Sequence, residues 1–258
     1  MKAPWTPSIS APEAPAAAEL ARLVEVIAEL REHCPWTAAL THESLAGYVL
    51  EEAHELIEAI EGADAGTGGA ELANELGDLL LQVVLHARLG AESGSFDLAS
   101  VAHGVSAKLV RRSPHVFHPD GTLRTEFSAT VAQIEASWEQ VKAQERAAST
   151  SRPAHGSRAA AAPQGPFAGI PATLPALAAA QKTLERARRA GLELPGATGE
   201  RAGERTGEHT GERLHPDRFE DEEQLGQLLL EVVQAAQLQG LDAERALRQV
   251  VRGIQGRG

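Results

Sequence analysis

The chain has a single cysteine, Cys34, among 258 residues, and a single methionine, Met1. One thiol closes no intrachain disulfide, so nothing covalent staples the fold, and the usage suits a reducing, cytoplasmic setting. Aromatic residues make up only 3%, and β-branched runs with period-two alternation are scarce, which argues against a sheet. No apolar run approaches the roughly 18 to 20 residues that span a bilayer. Residues 1–18 are rich in Ala and Pro but lack the apolar core of a signal peptide, so they read as a disordered tail. Basic residues are outnumbered 24 to 36, for a net charge of -12. That balance repels phosphate backbones and acidic lipid surfaces, so neither nucleic acid nor membrane is expected as a partner.

What is abundant is Ala, Leu, Glu, Gln and Arg, all good helix formers, and an all-α helical bundle follows. Leu20, Leu23, Val24, Ile27 and Leu30 form one helical stripe, stopped at Cys34-Pro35-Trp36 by the proline. A second helix is expected after Thr41, a suitable N-cap, to about Glu61, with Leu45, Val49, Ala53, Leu56 and Ile60 on its core face. A third is expected from about Ala70 to Glu92, a fourth from Asp97 to Arg112, and a fifth from Glu126 to Ala148. Residues 149–168, rich in Ser, Pro, Gly and Ala, read as a linker.

Beyond the linker the pattern repeats. Glu75 to Leu89 aligns with Gln224 to Leu238 at a constant offset of 149, matching Gly77 with Gly226, Leu79-Leu80-Leu81 with Leu228-Leu229-Leu230, and Val83-Val84 with Val232-Val233. The expectation is two copies of one helical unit, over 19–148 and 169–258.

Charge is distributed unevenly over these helices. Glu52 lies on the shoulder of the second helix's apolar stripe, about 60° from Glu55, so the two can converge beside the core. Glu75 and Asp78 stand at i and i+3 on the third helix, whose run from Leu79 to Leu85 is apolar nearly all round, the mark of a helix buried on most sides. Buried carboxylates need protonation, basic partners or a cation. A hard divalent ion such as magnesium prefers oxygen donors, and no comparable His and Cys set points to zinc. The plainer reading of Glu51, Glu52 and Glu55 is an exposed acidic face. Lys108, Arg111 and Arg112 cluster within about 100° of arc on the fourth helix, where they either clamp a polyphosphate or simply oppose the helix dipole.

The words themselves are distinctive: Glu51-Glu52-x-x-Glu55, nineteen residues, then Glu75-Leu76-Gly77-Asp78, with Cys34-Pro35-Trp36, Lys108-Leu109-Val110-Arg111-Arg112-Ser113-Pro114-His115-Val116-Phe117 and Trp138-Glu139-Gln140-Val141-Lys142. Together they resemble the signature of the MazG family of nucleoside triphosphate pyrophosphohydrolases, clearly over residues 19–190 and weakly beyond. The resemblance implies an all-α homodimer that cleaves a nucleoside triphosphate between its α and β phosphates. It implies magnesium, with manganese as the alternative ion, held by Glu52, Glu55, Glu75 and Asp78. It further implies phosphate contacts from Lys108, Arg111 and Arg112, with Trp138 against the nucleotide. Glu51 is the candidate for orienting or deprotonating the attacking water.

The second copy departs from the pattern. Gln224 and Gln227 replace Glu75 and Asp78, and neutral amides do not supply the charge that holds magnesium. The region matching the second helix, with 196–215 as its loop, carries Gly at every fourth position, including Gly199, Gly203, Gly207 and Gly211. Such spacing disfavours helix by about 1 kcal/mol per Gly. Residues 169–258 are therefore expected to be noncatalytic, serving dimerisation or packing against the first unit. Two other functions stay open: a phosphohydrolase restricted to one deoxynucleotide such as dUTP, and a helical scaffold that binds without turnover.

Overall fold

A computed structural model describes residues 14–62, 69–150, 165–192 and 221–255. Every regular element among the described residues is a helix, and the loop after the fifth of them holds a single isolated bridge between Phe117 and Leu123 in place of any strand. The chain divides into two compact units, the first ending at Pro153 and the second beginning at Ala154. No described helix is long and apolar enough to cross a membrane.

The first unit comprises α1 (Ala14–His33), α2 (Pro35–Ala38), α3 (His42–Gly62), α4 (Gly69–Glu92), α5 (Leu98–Arg112) and α6 (Val131–Thr150). α1 begins at Ala14, so the expected tail loses its last five residues to the helix. Thr41 caps α3 as anticipated. The Ser44 N–H donates to Thr41 Oγ1 at 3.2 Å, and the Thr41 N–H donates back to Ser44 Oγ at 2.9 Å. α6 starts at Val131 rather than Glu126. The reason is a capping box in which the Thr130 N–H donates to Gln133 Oε1 at 2.8 Å, fixing the helix start five residues later.

Ile27, Leu40, Leu45, Val84 and Leu85 form the buried core, so α1, α3 and α4 meet there. Arg31 ties this corner together: its guanidinium donates to the Leu40 carbonyl at 3.1 Å and to the Glu92 carboxylate at 2.6 Å. Gly90 is needed where α4 passes Phe96, since a Cβ there would sit 2.7 Å from the ring. Two expectations about faces fail. Ile60 is 57% exposed, and Ala59 takes the buried position on α3 instead. α4 is not enclosed on most sides either: Leu76, Leu80 and Val83 are 41–50% exposed along its outer face.

The second unit contains α7 (Ala176–Arg189), α8 (Glu222–Leu238) and α9 (Ala243–Gln255) around Leu184, Ala187 and Val233. α8 is closed off after its Gln239 cap by Gly240, whose φ of 72° lets the Leu241 N–H reach back to the Ala236 carbonyl at 2.9 Å. Most of the expected linker, residues 151–164, and the whole of the 196–215 loop lie outside the described residues.

Candidate metal and nucleotide site

Contacts between His42 and His86 at one end, and among Glu52, Glu75 and Asp78 further along, show that α3 and α4 run antiparallel. Their seam brings three of the four expected acids together. One carboxylate oxygen each from Glu52, Glu75 and Asp78 lies within 4.8 Å of the others. Glu52 and Glu75 are half-buried and Asp78 is exposed, so the cluster sits at the edge of the core rather than inside it. Glu55 is exposed and outside this trio, but its charge bears on both glutamates.

The electrostatics match the crowding. Partial dehydration, followed by repulsion from Asp78, Glu55, Glu51 and Glu75, raises the Glu52 carboxyl above the ordinary value. Glu75 is raised as well, first by dehydration and then by Glu55, Asp78 and Glu71. Oε2 of Glu75 is enclosed without a hydrogen-bond partner among the described residues. An all-oxygen donor set under mutual repulsion, with one carboxylate oxygen unpartnered, fits a hard divalent cation.

The polar line continues past the acids. Glu75, Asp78, Gln82 and His86 follow one another at i, i+3, i+7 and i+11 on α4. Gln82 is 6% exposed, and its Oε1 has no partner among the described residues. Nδ1 of His86 lies 2.7 Å from Nδ1 of His42, and their rings stack with centroids 5.0 Å apart. At that separation one ring donates and the other accepts. Burial, and then the charge on His42, lowers the His86 pKa. Gln82 and the histidine pair went unnoticed in the sequence because the surrounding apolar run dominates; the signal was a polar residue continuing the spacing of Glu75 and Asp78.

The basic cluster on α5 is engaged. Arg111 and Arg112 each donate two hydrogen bonds to the Glu145 carboxylate on α6, the Nε of Arg111 at 2.7 Å and the Nη2 of Arg112 at 2.5 Å. The two guanidiniums hold Glu145 below the usual carboxylate range, Arg112 foremost. Lys108, one turn earlier, is exposed. Trp138, also on α6, is half-buried; its indole N–H is enclosed without a partner among the described residues, and the Lys142 ammonium stands 5.8 Å from its ring centroid. Glu51 is exposed next to Glu52.

Residues 40–117, which include all four acids and the α5 basic cluster, match the MazG nucleotide pyrophosphohydrolase domain. A 26.1 kDa protein of Streptomyces cacaoi is 37% identical over 233 residues, spanning 90% of this chain and 77% of that protein. The nucleoside triphosphate pyrophosphohydrolase/pyrophosphatase MazG of Thermotoga maritima is 34% identical over 89% of this chain and 80% of its own length. The chain belongs to the MazG family. The nucleoside triphosphate pyrophosphohydrolase of Escherichia coli K12 is a further member, 32% identical over 89% of this chain and 82% of its own. Within the MazG domain match, the α3–α4 acids and the α5 cations fall on consecutive helices.

Proposed function

We propose that this MazG-family chain is a magnesium-dependent nucleoside triphosphate pyrophosphohydrolase that releases a nucleoside monophosphate and pyrophosphate. The observation that carries the reading is the convergence of Glu52, Glu75 and Asp78 within 4.8 Å on a seam where their charges oppose one another. These three, with Glu55 alongside, would hold the ion. When bound, magnesium, or manganese in its place, supplies positive charge against the phosphate oxygens and polarises the α-phosphate.

The remaining roles belong to the chain's own side chains. The Glu51 carboxylate takes a proton from the attacking water as the new oxygen–phosphorus bond forms and the bond to the β-phosphate's bridging oxygen breaks. Lys108 meets the departing pyrophosphate with charge. Arg111 and Arg112 present planar forks to phosphate oxygens once those oxygens replace the Glu145 carboxylate. Trp138 lies against the nucleoside, its ring already attractive to the Lys142 cation.

The same reading makes the enzyme a homodimer, which the outward apolar stripes of α4 (Leu76, Leu80, Val83) and α5 (Val101, Val105, Leu109) support. Residues 19–148 form its catalytic unit, 149–168 a linker, and 169–258 a noncatalytic unit, because Gln224 and Gln227 supply no anionic donor. The test is an assay of purified protein with a panel of ribo- and deoxynucleoside triphosphates, with magnesium or chelator, products separated by chromatography. Monophosphate plus pyrophosphate, formed only with the metal, is the expected result. Diphosphate plus phosphate, activity in chelator, or turnover unaffected by Glu75→Gln would each overturn it.

A further inference from the structure

Of the polar line on α4, Gln82 alone has no counterpart for its chemistry. Glu75 and Asp78 have the cation of the proposed reaction, and His86 and His42 satisfy each other across 2.7 Å. Gln82, between them, is 6% exposed, and its Oε1 is enclosed without a hydrogen-bond partner among the described residues. An amide oxygen that has given up water on folding destabilises the protein until a donor takes the water's place.

Its neighbours give its direction. Asp78 meets Glu52 of α3, and His86 meets His42 of α3. Gln82 stands four residues from each, on the same stripe of α4, so its amide faces α3 along the same seam. On α3 the positions that continue the spacing from His42 to Glu52 are Leu45, buried, and Val49, half-buried. Both are aliphatic, so their side chains offer Oε1 no donor. That role is left to a molecule entering the seam.

The internal repeat ties Gln82 to the acids rather than to the core. At the offset of 149, Leu79-Leu80-Leu81, Val83-Val84, Ala87 and Leu89 all recur, whereas Glu75, Asp78, Gln82 and His86 become Gln224, Gln227, Glu231 and Ala235. Val84 and its counterpart Val233 are 2% and 0% exposed and unchanged, as residues kept for packing are. Gln82 changes together with the acids, and Glu231 in its place is exposed. The polar line is present or absent as one set, which points to one ligand.

The shape of a nucleotide says which part of that ligand Gln82 meets. One ester oxygen and one methylene separate the α-phosphorus from the sugar ring, so with the α-phosphate at the acids the sugar comes next and the base lies beyond it. Gln82 is one turn of α4 from Asp78, about 6 Å along the axis, which is within reach of the sugar. A sugar hydroxyl is also a donor of the kind that Oε1 lacks, whereas stacking on Trp138 is blind to the sugar.

We propose that Gln82 reads the sugar: its Oε1 accepts a hydrogen bond from a ribose hydroxyl of a nucleotide whose α-phosphate lies at Glu52, Glu75 and Asp78. The identity of the ligand rests on the pyrophosphohydrolase reading; the contact is one that the acids, the α5 cations and Trp138 do not supply. An analogue lacking that hydroxyl leaves Oε1 buried and unpaired again, which is how a hydrogen-bonding site rejects a missing hydroxyl.

The test compares ATP, 2′-deoxyATP and 3′-deoxyATP on the full-length protein, as magnesium-dependent turnover and as calorimetric binding of their α,β-methylene analogues. Wild type is expected to favour ATP over one of the two deoxy forms by about tenfold or more in kcat/KM and in Kd. Gln82→Met, similar in length but without an amide, should bring that ratio to within about twofold, with helicity by circular dichroism retained because its surroundings are aliphatic. Gln82→Asn, which withdraws the amide by one methylene, should shrink the ratio as well. Glu75→Gln, which acts on the cation, should lower turnover of all three and leave their ratio standing. Equal use of the three nucleotides by wild type overturns the proposal, as does a ratio that both Gln82 variants keep. Absence of turnover with every triphosphate would refute the pyrophosphohydrolase reading instead, and the binding ratio then decides the role of Gln82; binding of none of the analogues overturns both.

Discussion

Replacing Glu52 by Gln keeps the side chain's shape and removes one negative charge from the acidic seam. Glu52 offers one of three carboxylate oxygens lying within 4.8 Å of one another. At that distance two unit charges repel by about 1 kcal/mol in a water-like dielectric and by about 3 kcal/mol at an effective constant near 20. Glu52 is half-buried and Asp78 is exposed, so the lower part of that range applies, and relief of about 1–2 kcal/mol is expected in metal-free protein. For a unit of this size that is a rise in Tm of about 2–6 °C. The assay is a thermal melt in chelator at low ionic strength, repeated at high salt, where the gain should shrink. Adding magnesium reverses the order: the wild-type protein binds the ion more tightly and gains more, while turnover of the variant falls by about two orders of magnitude or more. The reasoning is refuted if Glu52→Gln melts no higher than wild type in chelator, or if magnesium raises both proteins equally.

Glu145→Gln loosens the hold on Arg111 and Arg112 that substrate phosphates must displace. Two partly exposed ion pairs are together worth about 1 kcal/mol, so KM for the nucleoside triphosphate should fall about fivefold with kcat little changed; steady-state kinetics showing an unchanged or higher KM would count against the exchange. Glu92 is held at about 2, well below its ordinary 4.5, first by the hydrogen bond from Arg31 and then by that from Arg88. A depressed folded-state value means that this stabilisation is complete above pH 4.5 and is lost as pH falls from there toward 2. Glu92→Gln should therefore cost about 1–2 kcal/mol at neutral pH, allowing for exposure, and flatten acid unfolding over that window in a denaturant titration. Gly90→Ala places a methyl 2.7 Å from the Phe96 ring and should destabilise by about 1–3 kcal/mol, with Phe96→Leu restoring part of the loss in the same melt.

The helices were legible because their punctuation is local: Pro35, the Thr41 cap, the Asp97 cap and the glycines beyond α3 act within one turn. The start of α6 was missed because the Thr130–Gln133 box outweighs the helix-permissive residues before it. Spacing marked Glu52, Glu55, Glu75 and Asp78 as one candidate set beside an exposed acidic face as the plainer reading, and the antiparallel pairing of α3 with α4 is what brings Glu52, Glu75 and Asp78, without Glu55, within 4.8 Å of one another. Their degree of burial was not legible. The apolar run from Leu79 to Leu85 implied enclosure all round, but a periodicity records which faces are apolar and not what covers each of them. Leu80 and Val83 turn out to be exposed. The engagement of Arg111 and Arg112 with Glu145, 33 or 34 residues away in sequence, depends on how α5 meets α6, which no local pattern specifies.

Carboxylates packed as tightly as Glu52, Glu75 and Asp78 destabilise a metal-free protein, so on the proposed reading, in which the second unit holds no ion, each acid replaced there by an amide stabilises it. Gln224 and Gln227 are substitutions of that kind: both are polar and uncharged, Gln224 near-isosteric with Glu75 and Gln227 one methylene longer than Asp78.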